Sequence, residues 1–153
     1  WAARFLAAER GAPIALSATV VSAFWAGMIV GRYGFSRLLR PGNEKRLVGI
    51  AGATGTGAVL GFIWIPGIPG PLLAVIIGGL AFGGMWPTIM SYAAARAEGS
   101  TGAASGLLIA LGFLGALTVP ALVGVLSMWT GLGVALGLVA VSMALSAVLF
   151  YLA

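Results

Sequence analysis

The sequence predicts an all-α, polytopic membrane helix bundle, and three observations carry that prediction. The first is composition: of 153 residues, 61% are hydrophobic and 7% charged, where a soluble domain averages about 25% charged. No water-soluble core of this length hides so much apolar surface, so lipid is the expected solvent. The second is the presence of five charge-free apolar stretches, at about 12–30, 47–65, 71–95, 103–126 and 132–152. Each matches the roughly 20 residues that a helix needs to cross a hydrocarbon core of about 30 Å. The third is the basic segment Gly27–Arg46. Arg32, Arg37, Arg40, Lys45 and Arg46 within it are five of the chain's eight Lys and Arg residues.

Taken in order, residues 1–11 read as the last turns of a preceding helix. Trp1 and Phe5, spaced i, i+4, share a face there and suit the membrane interface. Gly11-Ala12-Pro13 then stops one helix and starts the next, with Pro13 in the first turn where its missing N–H costs little. The first span leads into the basic segment, read as a loop over 32–46. The second ends at Pro66–Gly70. The third carries Gly78, Gly79, Gly83, Gly84 and Pro87 near mid-membrane and reads as interrupted, with a kink at Pro87. The fourth, with Gly112, Gly115 and Pro120, reads the same way, with its kink at Pro120. Broken helices at membrane depth are tolerated where protein buries them or a watery cavity meets them, or they only shape packing. G-x-x-x-G pairs recur in or beside every span: Gly27/Gly31, Gly57/Gly61, Gly79/Gly83, Gly102/Gly106 and Gly133/Gly137. Small residues at that spacing let helix backbones approach closely.

Alternation of the spans sets the topology. Arg32, Arg37, Arg40, Lys45, Arg46 and Arg96 fall on one side, and only Arg4 and Arg10 on the other. Because cytoplasmic loops carry the excess of Lys and Arg, the 32–46 segment and the C-terminus are expected in the cytoplasm. An integral protein of the plasma (bacterial inner) membrane is the matching location. Trp64 and Trp129, at the opposite ends of their spans, read as interfacial anchors.

Several function classes lose their chemistry at this stage. The chain has no Cys and no His, which removes Cys/His metal sites and the usual nucleophile–base pairs. Its three acidic residues, Glu9, Glu44 and Glu98, are scattered in the polar segments. No catalytic residue, metal site or cofactor is expected, and the chain does not read as an enzyme. The formal net charge of +5 is explained by topology, so nucleic acid is not an expected partner. No Asp, Glu, Lys or Arg lies within a span, so an intramembrane carboxylate for proton coupling has no candidate here.

The basic segment resembles the cytoplasmic loop signature of the major facilitator superfamily of transporters. Gly27, Arg32 and Gly34 fall in register with it, and Arg37 and Arg40 follow. Gly31 stands where the family places an acidic residue, so the charge relay of that residue does not carry over. The stretch FGGMWPTIMSYAAARAEG resembles the tenth helix of fucose-permease-like sugar transporters. SAFWAGMIVGR is similar to their eighth helix and GLLIALGFLGALTVPALVGVL to their eleventh. The resemblance implies that the spans are helices eight to twelve of a C-terminal six-helix half and that residues 1–11 are the tail of helix seven. The partners it implies are the lipid bilayer, a small-molecule substrate and a missing N-terminal half of the same chain. The implied function is secondary active transport of small solutes, sugars among them, by alternating access.

Substrate in such proteins lies near the midplane. Phe82 and Trp86, spaced i, i+4, and Ser22 and Trp25, spaced i, i+3, are the candidate contacts, with Thr88 beside them. Rings with a few hydroxyls suit a sugar, whose C–H face packs on the ring. The competing reading has Trp25 and Trp86 filling space or facing lipid, and Thr88 and Ser91 bonded to their own helix backbone. Gly27, Gly31, Arg32, Gly34 and Arg37 are the candidate gating motif. A free-standing five-helix membrane scaffold or assembly protein without transport activity fits the same hydropathy.

Overall fold

The computed structural model describes residues 1–97 and 99–152. Glu98, one of the three acidic residues, and Ala153 lie outside the described residues. Six helices follow one another: α1 (Ala2–Arg10), α2 (Ile14–Leu38), α3 (Glu44–Trp64), α4 (Pro69–Arg96), α5 (Thr101–Thr130) and α6 (Leu132–Leu152). There is no strand among the described residues. Helices α2 to α6 are each long and apolar enough to cross a membrane.

Every connection contains one glycine in the left-handed region: Gly11, Gly42, Gly67, Gly99 and Gly131. The last is the sharpest case. Gly131, at φ 83°, is the only residue between α5 and α6, and a residue with a Cβ is strained at that angle. Asn43 ties the α2–α3 turn: the Arg40 N–H donates to its Oδ1 (2.8 Å), and its amide donates to the Leu38 carbonyl (2.9 Å).

Four sequence expectations change. The segment expected as a loop over 32–46 is mostly helix. α2 runs on through Arg32, Gly34 and Arg37 to Leu38, and Glu44, Lys45 and Arg46 form the first turn of α3. Hydropathy marks where a chain leaves lipid, whereas a helix stops only where a breaker or a turn ends its hydrogen bonds. α5 extends for the same reason to Thr130, past its expected end at 126. The two helices expected to be interrupted also run on without a break. α4 continues through Pro87 and α5 through Pro120 as single helices of 28 and 30 residues. One proline removes one backbone bond, which a helix of that length survives. Phe5, finally, is not at an interface with Trp1. It is 2% exposed, in the core beside the Phe62 ring (5.2 Å between centroids).

Helix packing follows the glycines, but not at every pair. A Cβ on Gly27 or Gly31 would overlap the Ile76 or Leu80 carbonyl, and one on Gly79 or Gly83 would overlap the Phe24 or Met28 carbonyl. The two G-x-x-x-G pairs therefore face each other, and α2 and α4 run parallel with their backbones in contact. α3 lies antiparallel to α6, where Gly52 meets Ala147 and Gly55 meets the Met143 methyl. By contrast, a Cβ on Gly57, Gly102, Gly106 or Gly137 would meet nothing within 4 Å. Gly102/Gly106 is therefore open at both positions, whereas Gly61 and Gly133, the partners of Gly57 and Gly137, meet side chains of neighbouring helices.

The alternating directions gather Arg32, Arg37, Arg40, Lys45, Arg46 and Arg96 at one end of the bundle. Trp64 and Trp129 sit at the other, both well exposed. The main core is built at the tryptophan end from Phe5, Leu6, Val20, Phe62, Val123 and Leu136. A smaller one at the basic end joins Val48, Ala51 and Met85.

Candidate functional site: an aromatic wall across α2, α4 and α5

α5 is the least enclosed helix of the bundle, and Val123 is its only buried residue. It packs mainly on α6 and α4, and the face shared by α2, α4 and α5 stays open. Aromatic rings line that face. Trp25 meets Phe24 edge-on at 6.1 Å, and Phe24 meets Phe82 across the α2–α4 contact at 6.2 Å. One turn beyond Phe82 on α4, the Trp86 ring lies over Gly112 of α5. A Cβ at residue 112 would come within 2.7 Å of Trp86 Cη2. Phe82, Trp86, Ile109, Gly112, Phe113 and Ala116 enclose an open cleft of about 440 Å³. A second cleft, of about 480 Å³, runs along α2 past Trp25, Met28, Ile29, Arg32, Tyr33 and Ser36.

Why these rings point outward follows from the glycines. On α2 and α4 the residues of closest approach are Gly27, Gly31, Gly79 and Gly83. Trp25, two residues before Gly27, and Trp86, three residues after Gly83, lie beside that narrow seam and not within it. Trp86 remains 38% exposed and Trp25 55%. Pro87 adds a polar feature. Its missing N–H leaves the Gly83 carbonyl without its helical donor.

The candidate residues separate into groups. Phe82 and Trp86 come together in the α4–α5 cleft. Trp25 joins them through Phe24 and also borders the α2 cleft. Ser22 is exposed on α2, on the face of Trp25, and lines neither cleft. Thr88 is 1% exposed, and its hydroxyl donates to the Gly84 carbonyl at 2.7 Å. It lies inside the bundle, away from the aromatic wall. Ser91 likewise donates to its own helix, at the Thr88 carbonyl.

The motif at the end of α2 divides as well. Gly27 and Gly31 are buried in the α4 contact, whereas Gly34 borders open space. Arg32 borders the α2 cleft. Arg37 stacks on the Tyr33 ring at 4.8 Å and donates to its hydroxyl.

A polar cluster at the tryptophan end was not foreseen in the sequence. The Leu132 and Gly133 N–H groups donate to Glu9 Oε1, at 2.8 and 3.2 Å. This puts a carboxylate on the N-terminus of α6, where the helix dipole favours negative charge. Arg10 donates to the Ile63 carbonyl at the C-terminus of α3 and lies 5.5 Å from the Phe5 ring centre. Adjacent opposite charges at a helix end were the available signal, but their partners are more than 50 residues away in sequence. Phe113 and Ile109, the far wall of the α4–α5 cleft, were missed because nothing in the sequence tells a cleft-facing residue of α5 from a lipid-facing one.

No group of three or more His, Cys, Asp or Glu gathers as metal ligands among the described residues. The architecture defines a class, an all-α bundle with five helices of membrane-spanning length and composition. Comparison with known proteins adds nothing narrower: no family model, no curated protein and no solved structure gives a significant match.

Proposed function

We propose that this chain is part of a secondary active transporter of small solutes, with sugars as the leading substrate class, in which the α2–α4–α5 face forms one wall of the solute path. The observation that carries the reading is the open aromatic wall of Trp25, Phe82, Trp86 and Phe113 on a bundle whose other helices pack closely. Rings at mid-membrane offer a flat apolar surface to the C–H face of a sugar. The carbonyl released by Pro87 offers a hydrogen-bond acceptor on the same helix as Phe82 and Trp86. The resemblance of the α2, α4 and α5 sequences to sugar permeases of the major facilitator superfamily points the same way.

On this reading the wall is completed by a further bundle, the N-terminal half that the resemblance implies. The near-touching α2–α4 backbones make those two helices one rigid unit that rocks as a body. The motif at the cytoplasmic end of α2, with Arg32 and Arg37, belongs to gating. Arg32→Ala is expected to slow transport with substrate affinity unchanged.

The test is uptake and binding by the complete protein in liposomes, against a panel of labelled monosaccharides. Trp86→Ala is expected to weaken binding by roughly 1–3 kcal/mol, the value of burying a large apolar side chain. Trp86→Phe recovers most of that, because stacking needs a ring and not the indole N–H. Trp129→Ala, at the far interface, leaves affinity as it was. Folded, inserted protein that moves no solute of the panel would sink the transport reading, and equal affinity for wild type and Trp86→Ala would remove the wall from it.

A further inference from the structure

A second groove lies away from the aromatic wall, between α3 and α6 at the basic end. It measures about 510 Å³, and its lining includes Gly49, Ala53, Thr56, Ala144, Val148 and Tyr151. Its floor is low because the α3 side carries small residues, and a Cβ on Gly49 would meet nothing within 4 Å. Lys45 precedes Gly49 by four residues and Ala53 by eight, so the three share one face of α3. Side chains on a helix lean toward its N-terminus. The Lys45 ammonium therefore extends past the end of the groove to the level where lipid headgroups lie. Tyr151, in the last turn of α6, lines the groove near the same end.

We propose that this groove binds an anionic phospholipid, one acyl chain lying along Gly49 and Ala53 and the phosphate meeting Lys45. Two features select that occupant. The first is length. From Gly49 to Thr56 is about 10 Å along a helix, and from Ala144 to Leu152 about 12 Å. That matches one leaflet of a hydrocarbon core about 30 Å thick. A partner helix crossing the membrane needs a groove about twice as long. The second is charge. Arg40, Lys45 and Arg46 crowd this end beside Glu44, the one carboxylate near them among the described residues, and Glu44 sits in the first turn of α3, where the helix N-terminus attracts it. A cationic mouth over an apolar slot complements an anionic headgroup on an acyl tail. The inference needs only that the bundle lies in a bilayer; it stands whether or not the protein transports sugars.

Native mass spectrometry of the complete protein tests it, with phosphatidylglycerol and phosphatidylcholine of identical acyl chains added in turn. Wild type is expected to hold phosphatidylglycerol at collision energies that strip phosphatidylcholine. Lys45→Gln is expected to lower retention about fivefold, the factor for one basic group near an anionic surface. Gly49→Leu, whose Cβ would meet nothing within 4 Å, projects into the groove and lowers it as well. Arg96→Gln, a cation at the same end but stacked on Tyr92, leaves retention unchanged. Equal retention of the two lipids, or unchanged retention in both Lys45→Gln and Gly49→Leu, overturns the proposal. A dimer that Gly49→Leu abolishes would give the groove to a second copy of the chain and overturn it too. Lys45 is partly exposed in the first turn of α3, so its variant keeps the test decisive if Gly49→Leu does not fold.

Discussion

Gly31 and Gly34 lie three residues apart on α2, yet they meet opposite surroundings. A Cβ on Gly31 would overlap the Leu80 carbonyl of α4, and one on Gly34 would touch nothing. Gly31→Ala is therefore expected to push α2 from α4 and destabilise the bundle by about 1–3 kcal/mol, the usual range for overpacking. Gly34→Ala should be neutral or stabilising by up to about 1 kcal/mol, because alanine favours the helix over glycine. Thermal denaturation of both variants in the same detergent measures the difference. Equal midpoints would mean that α2 and α4 do not approach as closely as the glycines indicate. Gly112 poses a related constraint, since the Trp86 ring occupies the space a side chain would need. Gly112→Val should displace that ring and weaken substrate binding as Trp86→Ala does, with both read by ligand titration of the complete protein.

Between elements, the shortest helix holds the most specific contacts. α1 has nine residues, too few to be stable by itself in water, yet Phe5 and Leu6 sit in the main core. Glu9 fastens it to the start of α6, Arg10 to the end of α3, and the Trp1 indole N–H donates to the Pro120 carbonyl of α5 at 3.0 Å. One element thereby ties together three others at the tryptophan end. Glu9→Ala should release the Leu132 and Gly133 amides, which hydrogen exchange would report as faster exchange at the start of α6. The stability cost is expected near 1 kcal/mol, the low side for a charge-assisted bond, because the carboxylate is solvent-exposed. Unchanged exchange at those two amides would show that α6 does not depend on the Glu9 cap.

For the molecule as a whole, orientation is the property to test. The chain has no Cys, so single-cysteine labelling meets no background from these 153 residues. Arg40→Cys lies in the turn at the basic end and Pro66→Cys in the turn at the tryptophan end. With an impermeant thiol reagent on intact cells, label is expected at residue 66 and not at 40, as cytoplasmic placement of basic ends requires. The reverse pattern would invert the protein in its membrane.

Composition and the five apolar runs were enough to establish the helical class, the number of long helices and their alternation. Those properties depend on local hydropathy and on chain direction, both of which are written along the sequence. The lengths of α2 and α5 were less legible, because polar turns such as Arg32–Leu38 and Ser127–Thr130 leave the apolar run without leaving the helix. Tertiary structure alone decided which glycines pack. Gly79 and Gly102 head identical G-x-x-x-G spacings, yet one touches the backbone of α2 and the other faces open space. It also sent Thr88 inward while leaving Trp86 outward, two residues away on the same helix. Glu9 found its partners at Leu132 and Gly133 through the same process. In each case the outcome depends on which face of a helix meets a neighbour. In a chain apolar on nearly all sides, hydrophobic periodicity does not distinguish the face toward protein from the face toward lipid.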